Sequence, residues 1–338
     1  YIFETIYNVD YHPFRFFFLS LQRLFATLMK KFVLLALCFM SCLISMGQMR
    51  HFYTSDKLSS NTINHICQDK SGYIWVGTEY GLNKYDGYRF TNYLNDKNNP
   101  HSISSNNVTT LFVDRKGTLW VGTSVGLVRY NDANDNFERI SLTERAPHRV
   151  NDMVQEDDDH LLIGTAGYGL FRLDVNTWEV ETLEGYAQGD TDFFSHIHID
   201  SWGNFWKAGS GSTFSCRRPD KSVRVFESPY GTVTAFLNYE DGLLMVCQNG
   251  LLFYRSGQLI PDFIDVSVLG GETVQFRTAL CDRKGNVFIG TMGKGLCMIP
   301  RGEHRLQCYE HTSSSFDLNT SNAWALFEDN QDNLWVGS

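Results

Sequence analysis

Basic charge is scarce in this chain of 338 residues: 29 lysines and arginines stand against 38 aspartates and glutamates, a formal net charge of −9. A surface that tracks phosphates needs a positive excess, so nucleic acid is argued against as a partner of this region. Proline is also rare, at 7 residues. No G-x-x-x-x-G-K-[ST] loop occurs, and no glycine-rich turn joins a strand to a helix, which removes the common nucleotide cradles. Neither G-x-S-x-G nor H-E-x-x-H is present, nor a C-x-x-C pair. The spacing therefore names no cofactor and no metal centre. His196 and His198 alternate on one segment and share a face, but no third ligand accompanies them. Acidic runs at Glu156-Asp157-Asp158-Asp159 and around Asp132 and Asp135 lack the D-x-[DN]-x-[DN]-G calcium pattern and read as solvated turns. Helical periodicity is not evident beyond the first fifty residues.

What the chain does have is repetition. Residues 61–90 read NTINHICQDKSGYIWVGTEYGLNKYDGYRF, and residues 107–130 read NVTTLFVDRKGTLWVGTSVGLVRY. The shared core is D-x-x-G-x-[IL]-W-V-G-T-x-x-G-L. Self-similarity at a fixed period marks a repeat architecture. Aligned on the tryptophan, copies fall at Trp75, Trp120, Leu162, Trp206, Leu244, Phe288 and Trp335, at steps of 38–47 residues. The first copy predicts strands at 64–68, 73–78, 82–85 and 88–93. They are separated by Asp69-Lys70-Ser71-Gly72, by a turn at Tyr80-Gly81, and by the Asp86-Gly87 hairpin signal. Four strands in about 40–45 residues is one blade of a β-propeller.

The expected fold is all-β: a seven-bladed propeller of four-stranded antiparallel blades, the last one incomplete. The blades lie near residues 61–93, 106–140, 149–183, 194–226, 232–260, 275–309 and 321–338. Trp75, Trp120, Trp206 and Trp335 are expected to fill the wedge between neighbouring sheets, since an indole buries ~150–250 Å². The recurring glycines, Gly77, Gly81, Gly122, Gly126, Gly164, Gly169, Gly290 and Gly295, are read as turn chemistry. In the first turn, aspartate stands at positions 159, 241 and 332 where other copies have glycine, and is expected to take its left-handed conformation. Residues 51–54 look like an outer strand preceding the first repeat, able to latch the ring to its last blade.

The first 28 residues contain no methionine. Met29-Lys30-Lys31 opens an apolar run over 32–46 with small residues at its end, which predicts a secretory signal peptide over 29–47 and a mature chain from 48 to 338. A membrane-spanning helix is the alternative, but the run is short for the ~20 residues a span takes. Residues 1–28 are then an upstream extension. Cys42 fits a lipoprotein site poorly. Of the six cysteines beyond the signal segment, some could pair in an exported protein, and most read as small buried hydrophobes.

The full motif L-S-S-N-x-[IV]-x-x-[IL]-x-x-D-x-x-G-x-[IL]-W-[IV]-G-T-x-x-G-L-x-x-Y-D-G, which starts here at Leu58-Ser59-Ser60-Asn61, resembles the two-component-regulator propeller repeat. The resemblance covers residues 50–338. It is specific in blades one, two and seven and eroded in four and five. It implies the periplasmic sensor region of a hybrid two-component histidine kinase/response regulator: two propellers, a β-sandwich, a membrane span, a kinase, a receiver and a helix-turn-helix domain, of which this chain holds only propeller. It further implies an oligosaccharide ligand from a glycan, a homodimeric parent, attachment to the inner membrane through a downstream span, and no enzymatic activity in this region. Tyr80 and Tyr168, each just before the recurring glycine of the second turn, are the candidate ligand-stacking residues. A secreted propeller lyase or glycosidase and a protein-binding scaffold are the competing readings.

Overall fold

The computed structural model describes residues 31, 50–143, 148–185, 194–272, 274–309 and 321–338. The chain forms two units, Tyr1–Arg50 and His51–Ser338. In the first, only Lys31 and Arg50 are described, so the upstream and signal-peptide readings lie outside the described residues. The second is a propeller.

Blade one comprises β1 (Ile63–Gln68), β2 (Ile74–Thr78), β3 (Gly81–Tyr85) and β4 (Phe90–Tyr93), paired antiparallel in that order. Blade two is β5 (Val108–Val113), β6 (Leu119–Thr123), β7 (Gly126–Asn131) and β8 (Asn136–Ile140). Blade three is β9 (Val150–Gln155), β10 (His160–Thr165), β11 (Gly169–Asp174) and β12 (Val180–Gly185). Blade four is β13 (His196–Ile199), β14 (Phe205–Ala208), β15 (Thr213–Arg217) and β16 (Val223–Glu227). Blade five is β17 (Val233–Tyr239), β18 (Gly242–Cys247), β19 (Gly250–Arg255) and β20 (Gln258–Pro261). Blade six is β21 (Gln275–Cys281), β22 (Val287–Met292), β23 (Leu296–Ile299) and β24 (Gln307–Tyr309). A seventh sheet has two strands, β25 (Ala325–Glu328) and β26 (Leu334–Gly337). The expected seven blades are thus corrected to six four-stranded ones plus this two-stranded sheet.

The repeat motif is legible atom by atom. In blade one the Asp69 carboxylate shapes the first turn: Oδ1 accepts the backbone N–H groups of Ser71 and Tyr73 at 2.9 and 3.0 Å. Its other oxygen accepts the indole N–H of Trp75 at 2.7 Å. The same bond joins Trp120 to Asp114, Trp206 to Asp200 and Trp335 to Asp329 at 2.8–2.9 Å. A buried indole N–H needs a partner, and the turn six residues earlier supplies a charged one. The threonine of G-T-x-x-G closes the second turn, with Thr78 Oγ1 donating to Gly81 O at 2.9 Å. Ser59, from L-S-S-N, meets that hydroxyl at 3.1 Å and ties the incoming chain to it.

Each tryptophan packs on the following blade. Trp75 clusters with Val108, Leu111, Val121 and Phe137 of blade two. Trp120 clusters with Val150, Met153 and Phe171 of blade three, and Trp206 with Val233, Phe236 and Tyr254 of blade five. All three indoles are fully buried. Trp335 packs against Ile63, Ile74 and Tyr85 of blade one. The first strands neighbour one another in cyclic order, from β1 to β5, β9, β13, β17, β21 and β25 and back to β1. Sheet seven therefore meets blade one. Ile63 N–H donates to Ser338 O at 3.1 Å, and Asn330 N–H to Gln68 Oε1 at 2.8 Å.

Three expectations are corrected. Gly77, Gly122, Gly164 and Gly290 are not turn residues: they sit inside second strands where the next blade's first strand presses closest. A Cβ at Gly77 would lie 2.6 Å from Val108 Cγ1, and one at Gly290 would lie 2.5 Å from the Ala323 carbonyl oxygen. No side chain fits there, whatever the backbone angles. In the first-turn column Asp332 is left-handed (φ 62°), but Asp159 and Asp241 are not. In blade five Tyr239 pairs directly with Gly242, so the turn is tighter and Glu240 takes the left-handed position (φ 49°). Finally, residues 51–54 form no strand: a short 3-10 turn occupies Thr54–Asp56. The segment makes contact by side chain instead. Phe52 stacks on Trp335, centroids 5.8 Å apart and planes 8° apart, and meets Tyr85 and Phe90 edge-on. Cys297 and Cys308, opposite each other on β23 and β24, form a disulfide. Cys67, Cys216 and Cys247 are free and buried, and Cys281 is free and half-buried.

Candidate ligand-binding face

Because strands alternate in direction, the second turn of every blade and the connections between blades share one face of the ring, here the upper face. The first and third turns share the lower face. Tyr80 and Tyr168 are on the upper face, 59% and 41% exposed. They stand on blades one and three, with blade two between them, so the structure does not bring them together. Tyr168 stacks on the buried His148, centroids 3.3 Å apart. The Tyr80 N–H is tied to Thr78 Oγ1 at 3.0 Å, leaving its ring outside. Trp324, immediately before β25, is a third exposed aromatic at this face (37%), which the sequence reading passed over. It stands one residue after Ala323, where every other copy has a different residue, and that singularity was the available signal.

The inner strands line the axis. At the equivalent position of blades one, two, three and five, a short polar side chain bonds across to a carbonyl of the next blade, whereas Ser195 of blade four bonds its own blade's Ala208 and Gly209 carbonyls. Asn64 Nδ2 donates to Val108 O at 2.7 Å, Thr109 Oγ1 to Val150 O, Asn151 Nδ2 to Phe194 O at 2.8 Å, and Thr234 Oγ1 to Phe276 O at 3.4 Å. Arg277 holds this position in blade six. Further along, His65 of blade one lies within electrostatic range of Asp152 and His196 on blades three and four, which it can reach only across the axis. Burial pushes the His65 imidazole pKa down; Asp152 opposes this and His196 adds to it. His65 Nδ1 has no hydrogen-bond partner. Asp152 accepts the Ile197 N–H at 3.0 Å and stands 3.7 Å from His196 Nδ1. Among the described residues no three His, Cys, Asp or Glu side chains are placed to hold a metal.

The acidic run of blade three is spent on ion pairs, Glu156 with Arg172, Asp158 with Arg115 and Asp159 with Lys116, all at 2.6–2.7 Å. On the lower face a cleft of about 160 Å³ opens between blades one and two beside Lys70, Arg129 and Asn131. A second, of about 300 Å³, lies in blade four beside Gly209 and Lys207. Neither is lined by Tyr80 or Tyr168.

The fold is a β-propeller built on a repeated Asp–Trp motif. Residues 57–80, 102–125 and 317–338 match the Two component regulator propeller family, so the chain carries repeats of that family. It is 44% identical over 54 residues to Histidine kinase P4 of Formosa agariphila, a stretch covering 16% of this chain and 4% of that protein. Among solved structures it is similar to the extracellular domain of a molecule described as a hybrid two component system from B. thetaiotaomicron. The TM-score is 0.73 at 20% identity, over 86% of this chain and 40% of the other. A second such domain from that organism gives 0.69 at 16% identity, over 86% of this chain and 41% of the other. Virginiamycin B lyase from Staphylococcus aureus matches at 0.63 with 10% identity, over 82% of this chain and 92% of the lyase. The chain thus spans about 40% of the length of the extracellular domains it resembles, and at these identities the structural likeness establishes the fold alone.

Proposed function

We propose that this chain is the extracytoplasmic ligand-sensing propeller of a hybrid two-component regulator, that it recognises an oligosaccharide released from a glycan, and that a dimeric parent passes the signal to a cytoplasmic histidine kinase. The observation that carries the reading is the coincidence of the repeat family with the fold. The same residues that match the two component regulator propeller build the Asp–Trp clamps of blades one, two and sheet seven. Extracytoplasmic placement is supported by the Cys297–Cys308 disulfide, a bond that persists in oxidising compartments. Trp335 of the two-stranded sheet occupies against blade one the place Trp75 occupies against blade two. The ligand acts by differential affinity for two arrangements of the parent, the only way binding can shift such an equilibrium. The lyase likeness is not favoured: it rests on fold alone, and a fold does not carry a chemistry. The test is a thermal-shift and calorimetric screen of the chain against neutral and acidic oligosaccharides. A saturable shift with one class is expected; no response to any saccharide would sink the reading.

A further inference from the structure

We infer that Arg277 and Trp324, side by side at the upper mouth of the central channel, form an anion-recognising subsite, and that the ligand is therefore an acidic saccharide, one bearing a carboxylate or a sulfate. This deepens the sensor reading and rests on it.

Three observations converge. The first is position. Arg277 follows the buried Phe276 at the start of β21, and Trp324 follows the buried Ala323 just before β25, so both stand where the inner strands of adjacent sheets begin. The guanidinium carbon is 5.1 Å from the indole centroid. The second is the break in the column. Asn64, Thr109, Asn151 and Thr234 satisfy themselves on the next blade's carbonyl. Joining blades needs nothing longer than those side chains. Among the described residues neither Ser195 of blade four, which bonds its own blade, nor Arg277 makes such a bond, and Arg277 instead sets a cation against an exposed ring.

The third is the charge itself. Arg277 Nε is buried and has no hydrogen-bond partner. One Nη2 donor reaches Gln275 Oε1 at 3.1 Å and the thioether of Met292, a weak acceptor, at 2.9 Å. No carboxylate pairs with it among the described residues, whereas Arg115, Arg129, Arg172 and Arg255 are each paired. Arg139, Arg149, Arg217, Arg218, Arg224 and Arg301 also lack a carboxylate partner among the described residues; what sets Arg277 apart is that its Nε is enclosed without a partner while its guanidinium stands against an exposed indole. A half-buried guanidinium with no carboxylate partner is well suited to an incoming oxyanion, whose two oxygens match its fork. The indole beside it offers the apolar platform that the C–H face of a sugar ring can cover.

The experiment is isothermal titration of the full chain with trigalacturonate (carboxylate) and a sulfated chondroitin disaccharide, against xylotriose and galactotriose as neutral probes at matched ionic strength. At least one acidic probe is expected to bind about tenfold or more tightly than the neutral ones, and the pair of acidic probes separates carboxylate from sulfate. Arg277→Gln should weaken that binding about tenfold or more while leaving the denaturation midpoint unchanged or raised, a combination a purely bridging arginine would not give. Arg277→Lys, which keeps the charge and loses the fork, should fall between. Trp324→Ala should weaken the acidic probe without the same salt dependence. Acidic probes that fail to bind, or that bind Arg277→Gln as well as the parent, overturn the inference. If xylotriose or galactotriose binds regardless of Arg277, the acidic subsite fails and the sensor reading stands. If no probe of either kind binds, both fail.

Discussion

Blades two and five share strand order and occupy equivalent places in the ring, yet they fill the space before the next blade by different means. Blade two hangs one large ring from a carboxylate: Trp120 is fully buried, and its N–H donates to Asp114, which also holds Lys116 N–H and Thr118 N–H. Blade five puts Leu244 in that place, equally buried, and surrounds it with Val246, Leu251, Phe253 and, from blade six, Phe276 and Ile289. Phe253 stacks on Phe263 at 4.1 Å. Where blade two has Asp114, blade five has Asn238, which accepts the Ser201 N–H of blade four. In blade two, then, one carboxylate couples the turn to the interface. In blade five no such carboxylate couples turn to core, and the blades are joined by packing together with the Thr234–Phe276 and Phe276–Gln248 hydrogen bonds.

The strongest way to break this comparison is at the ring itself. Trp120→Ala should cost about 3–5 kcal/mol, the usual loss for a large core aromatic, read as a drop in denaturant midpoint at unchanged slope; a midpoint that barely moves would deny the indole its role between blades. Next is the coupling. Asp114→Ala should cost about 1.5–3 kcal/mol, the scale of hydrogen bonds to a charged group. Its effect should shrink when Trp120→Phe has already removed the indole donor. Asn238→Ala and Leu244→Ala should instead add independently. Additivity in both blades would erase the distinction. A smaller effect, about 1–3 kcal/mol, is expected from Gly122→Ala, because the new Cβ would lie 2.6 Å from Thr110 Cγ2 and 2.9 Å from Val150 Cγ1. Val246 already fills the matching position of blade five.

The smallest effect is one of pH. At Asp329, which holds Trp335, burial would push the carboxyl pKa up. The bonds from Trp335, Asn333 and two backbone N–H groups outweigh it and leave the pKa below its ordinary value. A carboxyl depressed in the folded state stabilises fully above its unfolded pKa of ~3.9 and loses that contribution as pH falls through the lower folded value. Stability should therefore decline on acidification from about pH 5, and Asp329→Asn should flatten part of that decline. An acid limb identical in the two proteins would show that the clamp does not depend on the ionised form.

Much of this was legible in the sequence. Strands expected at 64–68 and 73–78 are observed at Ile63–Gln68 and Ile74–Thr78, because turn residues and alternation act over a few positions and repeat in every copy. The Asp–Trp clamp could have been read too. Each copy with a tryptophan has aspartate six residues earlier, at positions 69, 114, 200 and 329, while copies with leucine carry Glu156 or Asn238 there. Residues 51–54 misled, since an apolar–polar alternation shows only that a segment can pair, not that a partner strand stands beside it.

The candidate site was far less legible. Tyr80 and Tyr168 could be placed on one face from their position in the repeat. The pairing of Arg277 with Trp324, the convergence of His65 with Asp152 and His196, and the contact of Gln68 with Asn330 could not.

By itself, the sequence determined the blade: its period, its turns, and the ring that fills each wedge. These rest on contacts within one repeat or with the next, and repetition writes such contacts into the chain again and again. Only the tertiary structure decided which residues meet across the axis or at the seam between sheet seven and blade one. Gln68 and Asn330 are 262 positions apart, and their meeting follows from the summed rotation of all the sheets between them. That angle is set by how closely each pair of sheets packs, from the Gly77–Val108 approach to the Gly337–Ile63 approach, and no local pattern records it.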